Sequence, residues 1–583
     1  MRVCPGLLLL FAGAASVPAE GVKPVADRIA QQNAIFEDEY ESDLRNFPER
    51  ATAFGDYRYN DKLAERSLAA IIERNQTDQG FLARLEAIPV TGFSEQDRLS
   101  HDLLIRVLSE RITDFELKEY EMPINQMNGI HTTLADLPLA VPLDSVKHYE
   151  DYVARLHQIP RVLNQTTEVL RAGMKDKLMP VRFLLEKIPG QCEGIIASDP
   201  FLVPAKKFPA DISPADQKRL TEEITGAVQS DVIPAYKAFA RFVRTEYAPE
   251  GRASLSVESL PDGPKRYQND VYQRTTTHMT PEEIHELGLR EMARIQTEMT
   301  AIAKQQGFAD LDSFRASLKT NPKYIPTSGD QILNQFRLYI SQMEPKLPEL
   351  FNLLPRSPVT VEAIPPFQAE AATHYVTGTP DGKRAGRVVV ATANFRQRSL
   401  VDDEATAYHE GVPGHHMQLS VQQQLQGLPN FRRHSLGFTA YTEGWGLYAE
   451  QLGKEVGFYQ DPVSDYGRLS SELFRSVRLV VDTGIHAKGW TRDQVVAFFR
   501  KSGAVDEPTI QSETDRYIAW PAQALSYKLG QLKFLELRER AQRELGAKFD
   551  IRSFHDEMLT GGALPLDLLE ARTDRWIAEQ KTK

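Results

Sequence analysis

No regular helix can run through the segment His409-Glu410-Gly411-Val412-Pro413-Gly414-His415-His416. Pro413 lacks the amide hydrogen that would bond the carbonyl of His409, and its ring crowds that carbonyl. Gly411 and Gly414 loosen the backbone on either side. At about 100° per residue, positions four apart share a helix face, whereas His415 would stand roughly 120° round from His409. A bulge of one or two residues, an irregularity common at functional sites, would return His415 to the side of His409. His416 is nearly in phase, but about 10 Å further along the axis. The segment therefore predicts an interrupted helix with His409 and His415 adjacent. His416 is left for a supporting or substrate-contacting role.

Two histidines and a carboxylate in such proximity point to metal chemistry. Neutral imidazole nitrogens and carboxylates hold Zn²⁺, and a catalytic zinc keeps one position open for water. Glu410, beside the first histidine, is the candidate general base for that water. The usual arrangement is H-E-x-x-H, with the histidines one turn apart; here the second follows after six residues. The third ligand is expected from a second helix. In Tyr441-Thr442-Glu443-Gly444-Trp445-Gly446-Leu447-Tyr448-Ala449-Glu450, Glu443, Leu447 and Glu450 form one helical stripe. Carboxylates among Leu, Trp and Tyr need a charge partner or a metal. Glu443 is the candidate ligand and Glu450 a group that orients a ligand histidine. Glu404 suits a helix N-terminus or a supporting position.

Peptide hydrolysis at a metal also needs a donor for the oxyanion. The segment from Arg516 to Gly530 is the richest source, with Tyr527 the first candidate and Tyr517 the second. Arg516 or Lys528 suits a substrate carboxylate. His486 is a further candidate for substrate contact, and Arg478 is spaced to pair with Asp482.

These blocks resemble the bacterial domain-of-unknown-function 885 family, gluzincin-like zinc peptidases with a His-Glu-x-x-Pro-Gly-His-His motif. The similarity is carried by Thr275–Thr277 with Thr280-Pro281-Glu282-Glu283-Ile284-His285, by His409 to Gln418, Thr442 to Glu450, Arg478 to Trp490, and Arg516 to Gly530. It spans nearly the whole mature chain and implies a zinc-dependent peptidase with poorly defined substrates. One departure is Ala522, where the pattern has Gly. The Glu-Gly-Trp block is also similar to the Asn-Glu-Gly-Phe-Ala segment that gives aminopeptidases their third ligand, which supports Glu443 by analogy.

Elsewhere helical spacing dominates: residues 36–47, 63–74, 96–115 and 145–172 carry it. Ser213-Pro214 and Thr280-Pro281-Glu282-Glu283 are helix starts, the second a capping box. Ile284, Leu287, Met292, Ile295 and Met299 make an apolar core stripe. Strands are expected at 359–363, 374–377 and 387–392, with Asp381-Gly382 turning between the last two. Such an element can hold a peptide by strand addition or serve as a plain hairpin. The fold class is thus mainly α, a large multi-helix metallopeptidase-like fold with a small antiparallel β-element beside the active-site cleft. Residues 249–264, rich in Gly, Pro, Ser and Asp, read as a linker. They divide an N-terminal helical region (20–250) from a catalytic region (251–583) within one bilobal unit.

A net charge of −11 without a basic block argues against nucleic acid and anionic membranes as partners; a peptide substrate is what the zinc-peptidase resemblance implies. Residues 1–19 read as a secretory signal, with Arg2, an apolar stretch and Val17-Pro18-Ala19 before Glu20. That predicts export to the periplasm or beyond, with no spanning helix afterwards. After cleavage only Cys192 remains, a buried small hydrophobe with no internal partner. Two other function classes fit the sequence: a zinc amidohydrolase acting on a non-peptide amide, and an inactive exported binding or scaffold protein.

Overall fold

The computed structural model describes residues 23–364 and 372–583; the signal-type segment at residues 1–19 lies outside them. The principal elements are α1 (Val25–Asn46), α2 (Leu68–Glu86), α3 (Glu95–Glu116), α4 (Val146–Asp176), α5 (Pro214–Ala227), α6 (Pro281–Gln305) and α7 (Gly329–Met343). A small sheet follows, β1 (Val359–Ala363), β2 (His374–Val376) and β3 (Gly386–Val390). Then come α8 (Asp403–Glu410), α9 (His415–Gln424), α10 (Thr439–Glu455), α11 (Pro462–Lys488), α12 (Glu507–Ala519), α13 (Ser526–Leu545) and α14 (Ile551–Thr560). The protein is mainly α, as the sequence predicts.

Side-chain caps decide where several helices begin. The hydroxyls of Ser94, Ser145 and Ser213 each accept the backbone N–H three residues on, satisfying donors that have no partner inside the helix. Thr280 and Glu283 form the expected capping box. The helix expected from residue 63 instead starts at Leu68, capped by Ser67. The amides of Leu63 and Arg66 donate to Gln158 and Gln165 of α4, each at 3.0 Å, so this stretch is pinned across α4 rather than coiled.

The sheet order is β1-β3-β2. β2 runs antiparallel to β3, with Tyr375 opposite Val388, as the Asp381-Gly382 turn implies. β1 runs parallel to β3, with Val361 opposite Val388, so the sheet is mixed rather than wholly antiparallel. The chain returns through antiparallel β2 before β3 forms, which lets β3 pair parallel to β1. Arg337 of α7 donates to the carbonyl of Val361 at 2.9 Å, occupying part of the outer edge of β1.

Apolar burial does not divide at residue 250. One core joins Phe36, Leu103 and Leu108 of α1 and α3 to Tyr408, Trp445, Phe534 and Phe554. A second gathers residues between Leu63 and Ala248, Cys192 among them. A third lies between α6 and α11, where Ile295 and Met299 meet Leu473 and Val480. Residues 249–264 are packed: Ser256 donates to the carbonyl of His486 at 2.6 Å, and Val257 and Leu260 are buried.

Candidate metal centre

The break in the histidine segment is larger than a bulge. α8 ends at Glu410, Gly411 and Gly414 leave helical geometry (ψ −123° and −126°), and α9 begins at His415. A Cβ on Gly414 would collide with the carbonyls of Tyr408 and His409, and one on Gly411 would press on Ile340 and Ala407. Glycine at both positions lets the chain fold back on itself. The turn is tied by Gly414 N–H to the Tyr408 carbonyl and His416 N–H to that of Gly411, both at 3.0 Å. The rings of His409 and His415 thereby meet at 4.7 Å between centroids, nearly perpendicular.

α10 supplies the facing carboxylates from one stripe. Glu443 Oε2 lies 3.5 Å from Nε2 of His409 and 3.4 Å from Nε2 of His415. About two turns further on, Glu450 Oε1 accepts from Nδ1 of His409 at 2.8 Å. That bond fixes the proton of neutral His409 on Nδ1 and leaves a lone pair on Nε2. Gly446 lets α10 come this close, because a Cβ there would stand 2.7 Å from His409 Nε2. Trp445 Nε1–H donates to the Pro413 carbonyl at 2.9 Å and secures the turn from behind.

A donor atom from each of His409, Glu410 and His415 also falls within 4.8 Å of the others, and all three residues are buried. Two carboxylates, Glu410 and Glu443, thus flank the imidazole pair. Glu443 is the one in contact with both Nε2 atoms.

The electrostatics favour positive charge at this point. Burial opposes charge on His409, yet the carboxylates of Glu443 and Glu450 overcome it and raise its pKa to about 9. Burial likewise opposes ionisation of Glu443, and the two imidazoles hold its carboxyl well below the usual range. At 3.4–3.5 Å the carboxylate and the two Nε2 atoms share positive charge, carried by a proton on an imidazole or by a metal ion. Tetrahedral coordination with bonds of about 2.0–2.1 Å separates ligand atoms by roughly 3.3–3.4 Å. The spacing fits a bound divalent ion.

The other sequence candidates fall in different places. Tyr527 is partly exposed, and burial together with nearby Glu443 raises its phenol above its usual pKa, so it stays protonated. It is brought there by direct backbone contact between α10 and α13, where a Cβ on Gly444 or Gly530 would strike the opposite main chain. Tyr517 is buried elsewhere, donating to Glu513 at 2.5 Å and accepting from Arg478 Nε at 2.9 Å. Its hydroxyl is consumed by that network, which corrects its reading as an oxyanion donor. His486 is also corrected: Nε2 is bonded to the Tyr517 carbonyl at 2.9 Å and Nδ1 accepts from Val257 N–H at 3.2 Å. With both nitrogens used in the core, it offers nothing to a substrate.

His416 ties α9 to the sheet region, through Tyr375 Oη at 3.0 Å and the Ser357 carbonyl at 3.1 Å. Glu404 accepts from Tyr408 Oη and Tyr459 N–H, each at 3.1 Å. Lys528 is fully buried against Glu472 and Glu291 at 2.7 and 2.9 Å, and Arg516 is held by Glu513 and Gln523. Neither is free to take a substrate carboxylate. Arg478 pairs with Glu513 rather than with Asp482, which instead accepts from Tyr267 Oη at 2.8 Å and Ala522 N–H. Gly446, Gly444 and Gly530 escaped the sequence reading. Their signal was glycine inside strong helical pattern, which marks close approach.

A family model described as "Bacterial protein of unknown function (DUF885)" matches residues 48–572. Among solved structures, a "putative lipoprotein" from Colwellia psychrerythraea matches at TM-score 0.89 and 26% identity, covering 95% of this chain and 100% of that one. A second, of unknown function, from Shewanella oneidensis, matches at TM-score 0.71 and 18% identity, over 93% and 99% of the two chains. Metallocarboxypeptidase 1 of Trypanosoma cruzi reaches a TM-score of only 0.30 at 12% identity, too slight a likeness to bear on fold or function. No functionally curated protein matches the chain.

Proposed function

This chain belongs to the bacterial family of unknown function DUF885, a membership that brings no activity with it, and we propose from its candidate site that it is a zinc-dependent metallopeptidase acting on short peptides. The observation that carries the reading is the meeting of two imidazole Nε2 atoms on one carboxylate oxygen at 3.4 and 3.5 Å. His409, His415 and Glu443 would hold the ion, a donor set that suits zinc and leaves a position open. When bound, the ion supplies Lewis acidity that polarises a peptide carbonyl.

The remaining work falls to side chains. Glu410 takes a proton from the attacking water and later gives it to the leaving amine. Tyr527, kept protonated by its surroundings, donates to the oxyanion. Glu450 holds His409 in the tautomer that presents Nε2.

The test pairs elemental analysis with a peptide-hydrolysis assay. Wild type is expected to carry about one zinc per chain, and His409→Ala and Glu443→Ala to lose it. Glu410→Gln keeps the zinc while turnover falls by about 10²–10⁴-fold. Undiminished turnover in Glu410→Gln would sink the mechanism. The same reading takes the chain to be exported, supported by the signal-type segment at residues 1–19. A mature N-terminus near residue 20, found by mass spectrometry of periplasmic or secreted protein, is the expected result. Among the described residues, no helix is long and apolar enough to cross a membrane.

A further inference from the structure

Ser471, Arg475, Arg478 and Asp482 recur along α11 at i, i+4, i+7 and i+11, one helical face. The guanidinium groups of Arg475 and Arg478 lie against the same two rings. Phe474 is 5.4 and 4.1 Å from them, and Tyr527 5.9 and 4.5 Å. Tyr527 stands on α13, whose backbone at Gly530 touches α10 at Gly444, the residue after Glu443.

The neighbouring cations are already neutralised. Lys528 is paired with Glu472 and Glu291, Arg468 with Asp465, and Arg516 with Glu513. Arg478 reaches Glu513 through Nη2 at 3.0 Å, but its Nη1 is buried without an acceptor. Arg475 has no carboxylate within ion-pair distance among the described residues. Its Nη1 bonds only Ser471 of its own helix, at 3.3 Å to the carbonyl and 2.5 Å to the hydroxyl, and its Nε is buried without an acceptor. Buried donors on charged groups are costly when left unmade. Two of them against the same pair of rings, beside the candidate metal centre, form a place for an anion. The guanidinium fork matches a planar carboxylate.

Resting on the peptidase reading, we infer that Arg475, assisted by Nη1 of Arg478, binds the free C-terminal carboxylate of the substrate, so that the enzyme works from the carboxyl end of short peptides.

The test is a binding measurement independent of turnover. An N-acetylated tripeptide with a free C-terminal carboxylate, and the same peptide as its C-terminal amide, are titrated calorimetrically into zinc-loaded Glu410→Gln protein. The acid is expected to bind about 10- to 100-fold more tightly than the amide. Arg475→Gln should abolish that difference by weakening the acid alone, and Arg475→Lys should restore part of it. Circular dichroism melts of the variants check that the fold is kept. Equal binding of acid and amide, binding of neither, or discrimination that survives Arg475→Gln overturns the inference. Hydrolysis abolished in Glu410→Gln would still stand in those cases, so failure here is distinct from failure of the peptidase reading.

Discussion

Tyr527 and Lys528 are consecutive residues that face two different kinds of buried charge. Lys528 enters a closed network, in which Glu472 also meets Arg294 at 2.5 Å and Arg468 at 3.6 Å. Burial disfavours the charge on Glu472, and its cations overrule this and bring its carboxyl down to about 2. Tyr527 lies near Glu443, where the partners are imidazole nitrogens and the balancing positive charge is either a proton on an imidazole or a bound ion. Burial and strong charge are common to both places. What separates them is whether the protein completes its own accounts, and only the incomplete set points to a ligand.

The largest effect should come from opening the closed network. Lys528→Met removes the fully buried cation from buried Glu472 and partly buried Glu291 and should cost about 3–5 kcal/mol, seen as a lowered thermal midpoint. Zinc content of the folded fraction should be unchanged. Loss of zinc together with stability would erase the distinction between the two regions.

Asp482 offers a third arrangement, a buried carboxyl bonded only by the neutral donors of Tyr267 and Ala522. Burial raises its pKa to about 7. The unfolded chain gives up this proton near pH 4 and the folded chain near pH 7. Its stabilising contribution is therefore complete below about pH 4 and is lost as pH rises through 7, by roughly 2–4 kcal/mol. Asp482→Asn should flatten the pH dependence of the thermal midpoint over this range; an unaltered profile would show that Asp482 is not the group responsible.

A smaller effect is expected at Glu450. Glu450→Gln keeps the shape but weakens the hold on His409, and zinc affinity measured by competition with a chelator should fall by about 10- to 100-fold. The smallest is at Ala522, whose backbone lies in the left-handed region at φ +61°. Ala522→Gly should relieve that strain and stabilise by about 1 kcal/mol, net of one buried methyl. A loss of stability there would mean that the methyl outweighs the strain.

Spacing along the chain made the helices and the clustering of His409, His415 and Glu443 readable. Capping residues such as Ser94 and Thr280 announce their helices locally, because the bond they make is only three residues away. His409, His415, Glu443 and Glu450 stood out because acid and imidazole in apolar surroundings require a reason. Tyr517, His486 and Lys528 were harder. Their identity says what they can donate or accept, but partners that consume them lie far along the chain: Tyr517 is 31 residues from His486, Arg478 is 39 from Tyr517 and Glu472 is 56 from Lys528. Ser67 shows the same limit at smaller scale: the pull of Gln158 and Gln165 on the preceding amides is not written in the local pattern. Arg475 was invisible for the converse reason, since what marks it is a missing partner.

The contact between Gly444 and Gly530 has a mechanical meaning. Where two helices touch main chain to main chain, no rotamer can take up slack between them. α10 and α13 must travel as a single strut, carrying Glu443 and Tyr527 at fixed separation. Any relative motion at the candidate site must then come from α8, α9 and α11, which meet the strut through side chains.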